Sequence, residues 1–260
     1  MKLKYNDKAH GYWLDGKRTK SVTAITSLPE DKTFLDRWNM RQVVIGLARQ
    51  PALLDGFDED DKRTHSSIID AANDVAGTWD SASYGTAVHD ITERGDRGEQ
   101  LDAVDSITYG RWLTLLGAAG LTIDPELIEG VIVHTEERIC GRFDRFAVRD
   151  ADGAHVVVDL KTGSNVADYP HSMCVQLAMY ANADLRCDIG PSGDGETEEF
   201  FPLPADLDRT EGFIVHMPQD GEPGVYAVNI RLGWACAQQI IFPALRWRAM
   251  KKTSLIRKIV

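Results

Sequence analysis

The stretch "HVVVDLKTG", His155 to Gly163, reads as an apolar strand until Asp159 and Lys161 interrupt it two residues apart. Successive side chains of an extended chain alternate faces, so Val157, Asp159 and Lys161 share one face while Val156, Val158 and Leu160 share the other. An acid and an amine buried together add little stability, because desolvating two ions commonly costs about as much as their attraction returns. The two groups therefore point to chemistry rather than to packing.

Upstream lies a second β-rich segment, "ICGRFDRFAVR", joined to the first by "DADGA", whose Asp-Gly pair favours a tight hairpin turn. A two-residue loop at Asp152-Gly153 pairs Asp144 with Lys161, and a four-residue loop, Asp150 to Gly153, pairs it with Asp159. Either register puts Asp144 on the face that carries Asp159 and Lys161. A three-residue loop pairs Asp144 with Leu160 and turns its carboxylate the other way.

Two neighbouring carboxylates repel unless a proton or a cation sits between them. Hard oxygen donors favour Mg²⁺ or Mn²⁺. Such an ion acidifies water and stabilises phosphoryl charge, with Lys161 placed to orient the nucleophile or neutralise the transition state. The combination describes hydrolysis of a phosphodiester.

Composition bounds the remainder. The 260 residues suffice for one elaborated domain or two small ones, and the net charge of -11 argues against a simple electrostatic sponge for nucleic acid. Basic residues concentrate at the two ends: the first twenty residues are Lys-rich, and "RWRAMKKTSLIRKIV" holds Arg246, Arg248, Lys251, Lys252, Arg257 and Lys258 without an acid. "DIGPSGDGETEEF", Asp188 to Phe200, reads as an acidic surface insertion. No apolar leader opens the chain and no run approaches the roughly 18 apolar residues of a membrane span, so a soluble, cytoplasmic protein is expected. Cys140, Cys174, Cys187 and Cys236 are too widely spaced for a zinc knuckle or a disulfide framework.

The first half is expected to be helical. A hairpin turns at Asp15-Gly16, Ser21 caps a helix, and apolar spacing marks helices through Phe34, Leu35, Trp38 and Ile45 and through Ile68, Ile69, Ala72, Val75, Ala76 and Trp79. A third helix runs through "YGTAVHDITER" with Tyr84, Ala87, Val88 and Ile91 as its apolar stripe, and a fourth through "SITYGRWLTLLGAAG" ends near Gly120. After Pro125 strands dominate: "GVIVHTE", "ICGRFDRFAVR", "AHVVVDLKT", then a helix in "SMCVQLAMYANAD", strands in "GFIVHM" and "VYAVNIR", and a last helix from near Gly233. The order indicates α/β or α+β layering.

The pattern D…D-x-K on strands resembles the core of the PD-(D/E)XK nuclease superfamily. Four elements sharpen the likeness: "GTAVHDITE" resembles the G-T-x-x-H-x-x-x-E helix of RecB-type nucleases and CRISPR-associated exonucleases, "GRFDRF" and "DLKTG" their G-x-x-D and D-x-K-T-G strands, and "QLAMY" their Q-x-x-x-Y helix. The likeness spans Ser83 to about Ala181, and the N-terminal "HGYWLDGKRTKSVTAI" is more loosely similar to phage-encoded members. It implies an α/β, restriction-endonuclease-like core, a mixed central sheet flanked by helices. The core would occupy residues 81–232 of a single domain, with a hairpin and helical elaboration at 1–80 and a C-terminal helix and basic tail at 233–260.

By the same resemblance His89, Asp144 and Asp159 are metal ligands, Lys161 is the catalytic lysine, and Gln176 and Tyr180 lie on a helix that contacts DNA beside the site. Glu93, four residues after His89, shares its helix face. The acid ahead of the hairpin strand stays open between Glu136 and Glu137. The implied activity is a Mg²⁺- or Mn²⁺-dependent DNA exonuclease acting on duplex ends in recombination, repair or end processing, in host cytoplasm if phage-encoded. Alternatives are a flap or structure-specific endonuclease and a non-catalytic DNA-binding or assembly protein on the same scaffold. The cysteines do not follow the arrangement of relatives that hold an iron–sulfur cluster, so none is expected. With no G-x-x-x-x-G-K-[ST] loop, a helicase or recombinase partner would be a separate chain.

Overall fold

The computed structural model describes residues 1–6, 9, 11–31, 33–163, 166–167, 170–189 and 195–251. The side chains of Phe34 and Trp79, the middle of the acidic insertion, and Lys252, Arg257 and Lys258 of the basic tail lie outside the described residues.

The chain opens with β1 (Leu3–Asn6), β2 (Gly11–Leu14), β3 (Lys17–Arg18), β4 (Lys20–Ser21) and a short helix α1 (Val22–Thr26). The Ser21 hydroxyl accepts from Ala24 N–H at 3.2 Å, the expected N-cap. Helices α2 (Thr33–Arg49), α3 (Lys62–Ala76) and α4 (Thr78–Asp96) follow, then α5 (Ala103–Ala118), whose cap Asp102 accepts from the N–H groups of Val104 and Asp105 at 2.8 Å each. Contacts divide the chain into two compact units, residues 30–90 in one and residues 1–29 with 91–260 in the other. In the smaller unit α2 packs on α3. The boundary falls within the span of α4.

In the larger unit the remaining elements are β5 (Leu121–Ile128), β6 (Val131–His134), β7 (Ile139–Arg142), β8 (Arg145–Arg149), β9 (His155–Lys161), α6 (Pro170–Ala181), β10 (Leu185–Cys187), β11 (Gly195–Thr197), β12 (Glu211–His216), β13 (Gly224–Asn229), α7 (Ile230–Cys236) and α8 (Phe242–Ala249), with one π-helical turn, Ala237–Ile241, between the last two. Three sheets result, ordered β13-β12-β9-β8-β5, β10-β6-β7-β4 and β11-β1-β2-β3. β12 lies parallel to β9, and β8 lies antiparallel to it. This is the mixed α/β architecture expected of a restriction-endonuclease-like core.

Several expectations need correction. Pro125 does not precede the β-region but sits inside β5, where the pairing with β8 is irregular between Ile123 and Ile128, so a residue without an N–H is tolerated. "ICGRFDRFAVR" is not one strand: β7 pairs with β6, and β8 pairs with β5 and β9, with Phe143 and Asp144 between them. On α4, Ala87 is exposed while Gly85, Val88 and Thr92 are buried, so the buried stripe is rotated from the one expected. The last helical segment starts at Ile230, because the Asn229 side chain caps Leu232 N–H.

The main core joins the sheet face bearing Phe146, Val157 and Ile214 to α6, α1 and α7. Helix α6 is buried almost all round, from Met173 through Ala181. A second core, with Leu3, Tyr12 and Leu14 against Val131, Val133, Cys140 and Cys187, packs two sheets together. The four cysteines are free thiols.

Candidate active site

The turn after β8 fixes the register on which the site depends. Arg145 pairs with Val158, Phe146 with Val157 and Val148 with His155, so the loop is the four residues Asp150 to Gly153, with Gly153 at φ +74°. Continued by one rung, that register sets Asp144 opposite Asp159. The strand does not continue regularly. Phe143 N–H donates to Gly130 O and Asp144 O accepts from Glu129 N–H, which draws this part of the chain toward β6. In place of a ladder bond, the Asp144 carboxylate accepts from Leu160 N–H at 2.8 Å. A carboxylate is thereby anchored where two sheets part.

Glu129 stands at the matching break between β5 and β6, in the left-handed region at φ +55°. A bulky residue held there marks a constrained site. Its carboxylate and that of Asp144 offer oxygens within 4.8 Å of one another. Burial first, and then the Asp144 charge, push Glu129 up to about 8, although Arg145 donates to it at 2.9 Å. The cation does not prevail because Arg145 is shared: its Nε donates to Asp96 at 2.8 Å and its Nη1 also reaches Asp144 O. Two carboxylates crowded until one favours its proton at neutral pH are equally relieved by a divalent cation, and an oxygen-rich donor set suits a hard ion.

Glu136 and Glu137, between which the sequence left the upstream acid open, sit instead in the β6–β7 turn, where both reach Arg246. The residue overlooked was Glu129. Its signal was the Glu-Gly pair immediately before "VIVH", an acid at a place where the chain must bend.

Arg145 is the other residue the sequence reading missed. It is 1% exposed, and Asp96 on α4 also accepts from Trp112 Nε1 at 3.0 Å and Tyr109 hydroxyl at 3.3 Å. Arg145 thus ties the end of α4 and α5 to Glu129. Glu93, one turn before Arg97 on α4, pairs with it at 3.0 Å. Glu93 also adds to the negative field that raises Glu129, so this face of α4 looks toward the acids. His89 lies one turn earlier on that helix.

At the end of β9, Lys161 Nζ is 2.6 Å from Asp159 Oδ2. Asp159 is fully buried, and its other oxygen accepts from Gln176 Nε2 at 3.1 Å. Burial pulls the Lys161 ammonium down, but the charges of Asp159 and Asp144 outweigh it and the net shift is upward. Gln176 is held in one orientation: Nε2 also donates to the Tyr180 hydroxyl at 3.0 Å while Oε1 accepts from Lys161 at 3.5 Å. Reversing the amide would set its oxygen against Asp159. Tyr180, 1% exposed, supports Gln176 from within. α6 comes this near because β7 carries Gly141, where a Cβ would fall 2.5 Å from Val22 Cγ2 and 3.1 Å from Tyr180 Cε1.

The structure therefore collects Asp144, Asp159, Lys161, Gln176 and Tyr180 around the end of β9, and adds Glu129 and Arg145. No helix among the described residues is long and apolar enough to cross a membrane. Residues 109–186 match the family model of the PD-(D/E)XK nuclease superfamily, a span that includes every residue of this group. His89 and Glu93 fall outside it. No curated protein matches the chain.

Proposed function

We propose, from the premise that residues 109–186 belong to the PD-(D/E)XK nuclease superfamily, that this protein is a metal-dependent DNA exonuclease acting on duplex ends in recombination, repair or end processing. The superfamily's nucleases use divalent metals and cut DNA. The observation that carries the reading is the convergence of Glu129, Asp144, Asp159 and Lys161 where β8 leaves β9. Exonuclease rather than endonuclease action rests on the resemblance of the His89 helix and the Gln176 helix to RecB-type enzymes.

Glu129 and Asp144 would hold a divalent ion, Mg²⁺ or Mn²⁺, joined by Asp159; for His89 the role of ligand rests on the family resemblance alone. Such an ion supplies charge stabilisation at the phosphoryl oxygens and makes water a better nucleophile at neutral pH. Lys161, kept protonated by the neighbouring carboxylates, donates to the attacking water or to a phosphoryl oxygen and does not take a proton. Gln176 and Tyr180 hold Asp159 while Arg145 holds Glu129.

End-labelled linear duplex and covalently closed circles, each with Mg²⁺ or Mn²⁺, test the proposal. Shortening of the linear DNA with the circles intact is expected. Nicked or linearised circles would make the protein an endonuclease, and retardation of DNA in a gel without cleavage would make it a binding protein on a nuclease scaffold.

A further inference from the structure

An acidic protein that handles a polyanion must offer positive charge somewhere, and the acids of the site do not. Near the N-terminus Lys2, Lys4 and Arg18 gather on one surface. In the sheet β11-β1-β2-β3, Leu3, Tyr5, Tyr12 and Leu14 turn inward to the second core. The alternate residues turn outward, and the register lines up Glu196, Lys4, Trp13 and Arg18 across all four strands. Arg18 stacks its guanidinium 5.7 Å from the Trp13 ring centre. Trp13, Lys2, Lys4 and Asn6 also line a groove of about 610 Å³. Glu196 lies at its margin and engages both lysines, Lys2 at 2.7 Å and Lys4 at 3.3 Å.

We propose that this groove binds single-stranded DNA, with a base stacked on Trp13, phosphates held by Lys2, Lys4 and Arg18, and Glu196 competing with the phosphates for the two lysines. The inference rests on reading the chain as a DNA nuclease. An aromatic face with interleaved cations is what an unpaired strand requires, because every base offers a π-face and every nucleotide a charge. A duplex keeps its base faces stacked and could use only the cations. Lys2, Lys4 and Arg18 face Glu196, with Glu198 also within reach of Lys2, and the acid that pairs directly is exposed enough to yield: Glu196 is 45% exposed, so its pairs with Lys2 and Lys4 are inexpensive to exchange for phosphate.

Binding of a fluorescent oligothymidylate to the full-length protein, by anisotropy with EDTA present to withhold cleavage, is the test. Trp13→Ala should weaken binding roughly 5- to 100-fold, and Trp13→Phe should restore most of it. Lys4→Ala should weaken it and reduce the slope of log affinity against log salt by about 0.7. Glu196→Gln should tighten binding several-fold, an outcome that damage to the fold does not produce. A duplex of equal length should be indifferent to Trp13→Ala. Unchanged single-strand affinity in both Trp13→Ala and Glu196→Gln, or equal losses on duplex, would overturn the proposal. Mn²⁺-dependent hydrolysis of bis(p-nitrophenyl) phosphate separates it from the nuclease reading: Trp13→Ala should leave that turnover unchanged. A wild-type protein that binds the strand as described but hydrolyses neither substrate would end the nuclease reading and leave the groove standing.

Discussion

The two ends of β9 carry comparable numbers of charges and differ in burial. At the His155 end, Nδ1 lies 2.9 Å from Asp206 and Nε2 lies 3.1 Å from Asp124. Close by, Arg149 meets Asp152, Asp208 and Glu211 at 2.7, 3.0 and 3.2 Å. These groups are wet, with Asp152 and Asp206 about half exposed. At the Lys161 end Asp159 and Arg145 are completely buried, and Glu129 is half-buried between them and Asp144. Acids outnumber cations at both ends: Glu129, Asp144, Asp159 and Asp96 face Arg145, Arg142 and Lys161 here, and Asp124, Asp206, Asp152, Asp208 and Glu211 face His155 and Arg149 there. Salt bridges alone therefore identify nothing on this strand. What sets the second cluster apart is that desolvation raises its energy, a cost stability would not select and ion binding would relieve.

The comparison breaks first at Arg145. Removing one partner of a buried network strands the others, so Arg145→Ala should cost about 3–5 kcal/mol of stability, measured by denaturant unfolding. A cost near that of a surface pair would mean that Asp96 and Glu129 reach water and that the two ends of β9 do not differ as described. Lys161→Ala is expected next in size, in a different observable. It should lower cleavage by the folded protein roughly 10²- to 10³-fold, as the loss of one transition-state donor does, beside a fall in the unfolding midpoint from leaving buried Asp159 without the ammonium 2.6 Å away. Wild-type cleavage by the fraction of Lys161→Ala that is folded would assign Lys161 to the fold rather than to the reaction.

How much of this was legible depends on whether a feature is local. Asp152-Gly153 announced the hairpin and alternation put Asp159 and Lys161 on one face, because both rules act within a dozen residues, whereas Asp144 reaches them through its own bond to Leu160 N–H just beyond the regular pairing. The cap at Ser21 and the turn at Asp15-Gly16 were readable for the same reason. Glu129 was not, since "DPELIEG" offers three acids and only the distant pairing of Phe143 with Gly130 selects one. Arg145 hid beside Asp144 because its partners Asp96 and Trp112 lie on helices far back in the chain. The burial of Tyr180 was not legible, because a short apolar helix pattern does not reveal that α6 is covered on nearly all sides.

A smaller effect sharpens the contrast through pH. Glu129 holds its proton up to about 8 in the folded protein, well above the ordinary carboxyl value of 4.5. Between those values the folded state binds a proton that the unfolded state has released, so stability must fall as pH rises from about 5 to about 8 and level off beyond. Thermal melts of metal-free wild-type protein minus those of Glu129→Gln should isolate that slope. Mn²⁺ should flatten it, because the ion takes the proton's place on the ionised group and binds better as pH rises. A difference curve independent of pH would remove Glu129 from the candidate ligands.

The smallest expected effect belongs to the other end of the strand. Arg149 touches three carboxylates, and the hydrogen bonds it donates to Asp152 and Asp208 raise its already high pKa further, yet its partners are partly solvated and the network lies at the surface. Water replaces such pairs at little cost, so Arg149→Ala should destabilise by no more than about 1 kcal/mol, with cleavage unchanged and with most of the deficit gone in 1 M salt, where screening acts within about 3 Å. If Arg149→Ala instead matched Arg145→Ala and resisted salt, exposure would not be what separates the two clusters, and the buried one would lose its claim to be the site on energetic grounds.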